Sequence, residues 1–139
     1  MRIKKKRLSK GQKAYLEEIL FSRSEIEARI ETLKDQILYG QPHRELTPGQ
    51  GYISDPTARK AVELSTNRWL VKSQGELEAI DRALSRLDER HHKLYKLKYC
   101  HGERSWGRIA YDMHYDVRHC YRLRDDILWE IATEMGMVG

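Results

Sequence analysis

Apolar residues along this chain recur at steps of three and four, the period of helices that bury one face. Leu16, Ile19 and Leu20 form the first stripe. Ahead of it, Ser9-Lys10-Gly11-Gln12 has the S-x-x-Q form of a capping box, so a helix is expected to begin near Lys10. Ser24-Glu25-Ile26-Glu27 repeats the signal as a second box and predicts a break near Ser22. Ile26, Ile30, Leu33 and Ile37 then mark the seam of a helix that meets another helix. All three prolines, Pro42, Pro48 and Pro56, lie between positions 40 and 56 with Gly40, Gly49 and Gly51, and predict a loop. Asp55-Pro56 reads as an N-cap followed by proline at the first helical position, where its missing N–H is harmless. The stripe resumes through Ala58, Val62, Trp69, Leu77, Ile80, Leu84 and Leu87, with Gly75 the only breaker before Cys100. Leu87-Asp88-Glu89 predicts a fresh cap that divides this stretch into two helices, the second closed by His101-Gly102. No strand-like alternation occurs, and the chain reads as all-α.

The last third carries the most specific pattern. Ile109, Ala110, Met113, Tyr115, Cys120 and Leu123 occupy the slots at which the two helices of a helix-turn-helix pack together. Small Ala110 permits a close crossing, Tyr115 plugs the turn, and Ile127 extends the inner face of the second helix. Ser105 and Asp116 are natural N-caps for the two helices. The turn position, where a left-handed backbone favours glycine, holds His114 and is read as strained. With the inner face assigned, Val117, Arg118, His119, Tyr121 and Arg122 point outward, with Arg124 beside them. Arginines near the N-terminal half of such a helix suit base edges in a major groove. Asp125, Asp126, Glu130 and Glu134 fall toward the far end, clear of a duplex. Arg104, Ser105, Trp106 and Arg108 open the first helix, where backbone amides and a guanidinium suit a phosphate.

Composition sharpens this picture. The chain has 139 residues, 40% hydrophobic and 34% charged, enough for a lean helical core. Its net charge of +5 is local: residues 1–10 hold six of the 26 basic side chains and no acid. The rest is nearly neutral. Lys4, Lys5, Lys6 and Arg7 form a basic arm that attracts polyanions such as a phosphate backbone, or serves as a solvated tail. No signal segment or membrane-spanning run is visible, and two cysteines make no disulfide framework, so a cytoplasmic protein is expected. Cys100-His101 and His119-Cys120 offer four side chains of the kind that bind zinc, but sequence neighbours on a helix diverge and no C-x-x-C or H-x-x-x-H spacing occurs; no metal or other cofactor is expected. No nucleophile elbow, phosphate loop or HExxH points to an enzyme. Trp69, Trp106 and Trp129 read as packing anchors.

Leu87-Asp88-Glu89-Arg90, Leu94-Tyr95-Lys96-Leu97-Lys98-Tyr99, Gly102, Ser105-Trp106 and Ile109-Ala110 together resemble the fourth conserved region of bacterial sigma factors. The chain as a whole resembles the RinA and ArpU group of phage late-gene transcription activators. The features that carry this are the Lys-rich start, Leu33-Lys34-Asp35-Gln36-Ile37, Ser54-Asp55-Pro56-Thr57, Arg59-Lys60-Ala61 and the sigma-like C-terminus. The resemblance implies sequence-specific double-stranded DNA binding and activation of late transcription, with base contacts at Arg118, His119, Tyr121 and Arg122 and host RNA polymerase as a further partner. Three segments are expected: a basic arm over 1–10, a helical assembly or effector region over 11–86 with a loop at 40–55, and a DNA-binding domain over 87–139. The long seams fit either an intramolecular hairpin or a homodimer, of which the dimer is favoured. Two other readings stay open, a DNA-packaging protein like a small terminase subunit and a sigma-mimicking module that binds protein only.

Overall fold

The computed structural model describes residues 7–39 and 56–138, among which the backbone forms seven α-helices and no strand. The predicted loop at 40–55, with the Asp55 cap, and Lys4, Lys5 and Lys6 of the arm lie outside the described residues. No described helix is long and apolar enough to cross a membrane.

Local signals set most boundaries. Helix α1 (Lys10–Phe21) starts with the predicted capping box: Gln12 N–H donates to Ser9 Oγ at 3.1 Å, and Ser9 N–H donates to Gln12 Oε1 at 2.9 Å. The chain breaks at Ser22 as expected, but α2 (Arg23–Tyr39) resumes at once, so Ser24 lies inside it and does not act as a cap. Ser22 keeps a near-helical backbone, φ −96° and ψ 4°, and supplies no extended residue from which a new cap is built. Pro56 opens α3 (Pro56–Thr66), and α4 (Arg68–Ser85) follows after a single residue. This break, absent from the sequence expectation, is made by Asn67, whose Oδ1 accepts from Leu70 N–H at 2.9 Å. Gly75, expected to be the breaker, sits within α4.

Asp88 caps α5 (Glu89–Tyr95), its Oδ1 accepting from the amides of Arg90 and His91. The helix runs on into one π-helical turn, Lys96–Cys100, closed by His101 N–H donating to the Lys96 carbonyl at 2.8 Å. Gly102, at φ 74°, then turns the chain out of the helix, as the His101-Gly102 pair predicted. Helices α6 (Trp106–Met113) and α7 (Val117–Glu134) complete the chain.

Packing does not follow chain order. One compact unit joins the residues up to Arg23 with those from Leu77 onward; the other spans Ser24–Glu76. In the first, α1, α5 and α6 all pack on α7, and α1 also packs on the π turn. Leu16, Leu20, Ile80, Leu94, Ile109, Cys120, Ile127, Leu128 and Ile131 are almost wholly enclosed there. Each leucine or isoleucine so buried contributes roughly 1.5–3 kcal/mol. The expected division at 10/11 and 86/87 therefore shifts: α1 and the end of α4 belong with the C-terminal helices. The reason is hydrophobic. α7 has buried side chains at Cys120, Leu123, Ile127, Leu128, Ile131 and Ala132, more than one neighbouring helix covers. In the second unit Ile30 and Leu70 are buried, and Ile26, Leu33 and Ile37 of the predicted seam are half-buried. Arg29 lies 4.8 Å over the Trp69 ring, and Lys60 Nζ donates to the Leu38 carbonyl. Ala58 and Val62, assigned to the stripe, face solvent on α3.

Candidate nucleic-acid interface

Helices α6 and α7 and the turn between them form a helix-turn-helix. Ser105 has an extended backbone, and its Oγ accepts from Arg108 N–H at 3.3 Å, so it caps α6 as predicted. α6 ends at His114, whose φ of 60° and ψ of 35° are left-handed. The turn is three residues deep, and Asp116 starts α7, accepting from His119 N–H at 2.7 Å. Ile109, Ala110, Met113, Cys120 and Leu123 are all buried, and Tyr115 is half-buried at the turn. Burial pushes the Cys120 thiol above its usual range.

The N-terminal half of α7 carries the residues expected to read bases. Arg118, Tyr121 and Arg122 are exposed, and among the described residues neither arginine has an ion-pair or hydrogen-bond partner. Val117 is half-buried. His119 is less open than the expected outward face required. Its ring lies 4.2 Å from that of Tyr115, and its Nε2 is enclosed without a partner.

Arg124 also differs from its expected place. Its side chain is 19% exposed, pairs with Glu17 at 3.6 Å and Asp125 at 2.8 Å, and lies over the rings of Trp106 and Tyr121. It ties α1 to α7 instead of offering a free guanidinium. The acids that follow are paired too. Asp125 meets Lys13, Asp126 accepts from His91 Nε2 at 3.0 Å, Glu130 meets Arg86, and Glu134 meets both Arg82 and Arg86. The acids of the C-terminal half are thus compensated within the molecule, while the two outward arginines of the N-terminal half are not.

At the start of α6, Arg104 is exposed and stacks on Phe21 with its guanidinium 4.4 Å from the ring centroid. Arg108 is exposed and pairs with Asp112 at 3.3 Å. Ser105 is exposed, and Trp106 is half-buried, edge-on to Tyr121 at 4.7 Å. Arg7 of the arm is exposed. The structure adds two residues that the sequence did not single out. Tyr111, 75% exposed, stands next to Arg108 on the solvent face of α6. Lys98, in the π turn, is buried under three rings, of Trp106 at 4.1 Å, Phe21 at 5.4 Å and Tyr99 at 5.8 Å. Burial lowers the Lys98 ammonium from its usual range, aided by Arg124 and Arg104 and opposed by Glu17. Beside it, burial and the Glu17 carboxylate, which accepts from its hydroxyl at 2.8 Å, push the Tyr99 phenol far up.

Among the described residues, no group of three or more His, Cys, Asp or Glu is placed to hold a metal ion. Cys100 and Cys120 are both free thiols, the first exposed and the second buried.

Neither a curated protein nor a solved structure matches the chain. A family model does, over residues 12–133, and its description is "Protein of unknown function (DUF722)". The match takes in all of the helix-turn-helix apart from the end of α7, together with nearly all of α1 and the whole of α2 to α5. The chain belongs to the DUF722 family.

Proposed function

We propose that this protein is a sequence-specific double-stranded DNA-binding activator of late phage transcription, of the RinA and ArpU kind. The observation that carries the reading is the pair Arg118 and Arg122, exposed and without partners among the described residues, on the outer face of a helix whose inner face is buried. A helix of this size enters the major groove, and arginine there pairs with guanine through two parallel hydrogen bonds. Tyr121 stands beside them for an apolar or stacking contact, and Val117 lies at the helix start. Arg104, Ser105, Trp106 and Arg108 take phosphates and fix the register, and the basic arm at Lys4, Lys5, Lys6 and Arg7 adds attraction that is blind to sequence. His119 acts by holding Tyr115 in the turn, and Arg124 by holding α1 to α7.

Host RNA polymerase is the proposed second partner. The Ser24–Glu76 unit is assigned to assembly of a homodimer, a role supported by the exposed apolar side chains Val62 and Val71 on α3 and α4. The site of action is the host cytoplasm. The test is a titration of labelled duplexes read by fluorescence anisotropy. Arg118→Ala is expected to weaken binding to the preferred site about tenfold or more, one bidentate arginine–guanine pair, and binding to random duplex far less. Equal losses on both would remove α7 as the reading helix.

A further inference from the structure

Tyr121 stands on the outer face of α7 beside the two arginines assigned to guanine, three residues after Arg118 and next to Arg122. Its side chain is 39% exposed, and the covered part is held on two sides. The Trp106 ring meets it edge-on at 4.7 Å, and the Arg124 guanidinium lies 5.7 Å from its centroid. Both holders are themselves fixed from behind. Lys98 Nζ lies 4.1 Å from the Trp106 ring centroid, and Arg124 is paired with Glu17 and Asp125. Phe21 and Tyr99 continue the cluster inward, edge to face at 4.9 Å. Tyr121 is thus the solvent end of an aromatic and cationic stack that runs from α1 through the π turn and α6 to α7.

A ring held in this way does not stack on a base of an intact duplex. The faces of paired bases are covered by their neighbours, and reaching one requires the base to flip out. An aromatic edge in the major groove has a narrower choice. Hydrogen-bonding groups line the base edges there, and the one apolar group among them is the 5-methyl of thymine. The holders of Tyr121 pack its ring and not its hydroxyl, which has no hydrogen-bond partner among the described residues. What the cluster fixes is the position of an apolar ring. Such fixing matters for a methyl contact, which is small enough to be cancelled by the entropy of ordering a loose side chain. A ring already ordered by folding avoids that cost.

We infer that Tyr121 selects thymine beside the guanines of the bound sequence, by contact of its ring with the 5-methyl group. The inference rests on the DNA-binding reading above, and adds to it a second base and the residue that reads it.

The experiment uses the full-length protein and the duplex it prefers from a random pool, with each thymine replaced in turn by deoxyuridine. Uracil pairs as thymine does and lacks only the methyl. In fluorescence anisotropy, one such replacement beside a guanine is expected to weaken binding about fourfold, the size of one buried methyl, and the others to have little effect. Tyr121→Phe should keep this penalty. Tyr121→Ala should bind the unmodified duplex about fourfold more weakly and lose the penalty, because the methyl no longer has its partner. All three proteins should bind random duplex alike. A preferred duplex without thymine beside its guanines, or a wild type indifferent to uracil at every position, would overturn the thymine contact and leave the arginine reading standing. So would a penalty that survives Tyr121→Ala or is lost in Tyr121→Phe. A wild type with no preferred duplex would overturn both.

Discussion

The two halves of α7 belong to one continuous helix and meet opposite fates. In the C-terminal half, Asp125, Asp126, Glu130 and Glu134 each find a basic side chain on α1, on α4, on α5 or in the turn between α4 and α5. In the N-terminal half, Arg118 and Arg122 find no acidic partner among the described residues. The contrast comes from what surrounds the helix. Its far end is covered by neighbours that supply both apolar contacts and counter-charges, while its first two turns bury Cys120 and Leu123 but leave Arg118, Tyr121 and Arg122 exposed on the other face. Charge acts at a distance only where nothing within the molecule cancels it. The formal charge of a helix is therefore a poor guide to its function until the partners of each side chain are known.

That contrast is open to direct attack. The largest effect is expected in the covered half: Ile127→Ala, at a fully enclosed position, should lower stability by about 2–5 kcal/mol in denaturant unfolding. In the open half, the double change Arg118→Ala and Arg122→Ala should leave Tm nearly unchanged. Its cost appears in binding, where two bidentate contacts of roughly 1–3 kcal/mol each predict a loss of the order of a hundredfold on the preferred duplex. A large drop in Tm with these two variants would mean that the arginines hold the fold together and the comparison is wrong.

Smaller effects sharpen it. His114→Gly relieves a left-handed backbone at the turn that sets the two helices, and should raise stability by about 1 kcal/mol without altering DNA affinity. Glu134→Gln, in the compensated half, should change stability by no more than about 1 kcal/mol and leave duplex binding within experimental error. The smallest is a pH effect. The Arg90 guanidinium beside Asp88, with His91 on the same carboxylate, holds that carboxyl well below the usual range. A depressed folded-state value means that this contribution is present above about pH 4 and is lost as pH falls through the folded value. Asp88→Asn, whose side-chain oxygen still caps α5, should flatten the acid side of a Tm-against-pH profile while lowering the neutral plateau slightly through the lost charge beside Arg90 and His91.

Features that depend on a few adjacent residues were legible in the sequence. Ser9, Asp88, Ser105 and Asp116 cap the helices they were expected to cap, because an N-cap is a contact over two or three positions. The left-handed turn at His114 and the burial of Ile109, Ala110, Met113, Cys120 and Leu123 were legible for the same reason, a fixed spacing within one motif. The break at Asn67 has no such local signal, because the apolar stripe continues on both sides of it without a proline or glycine beside it. Nothing in the sequence marks the pairing of Arg124, because its partner, Glu17, lies on α1, far away in sequence. Lys98 stands in the sigma-like run without any sign of its burial, since a single π turn changes the phase of the helix and brings it inward. The grouping of α1 with the C-terminal helices was hidden likewise. Periodicity gives the width of an apolar face, but not which of several helices covers it.

The most direct measurement is a selection of duplexes from a random pool by the full-length protein, run in parallel with the Arg118→Ala, Arg122→Ala double variant. The account predicts a recurrent guanine-containing motif for the wild type and its disappearance for the variant, with residual capture of DNA at low salt by both. A pool that stays random with the wild type, or the same motif recovered by the variant, would contradict it.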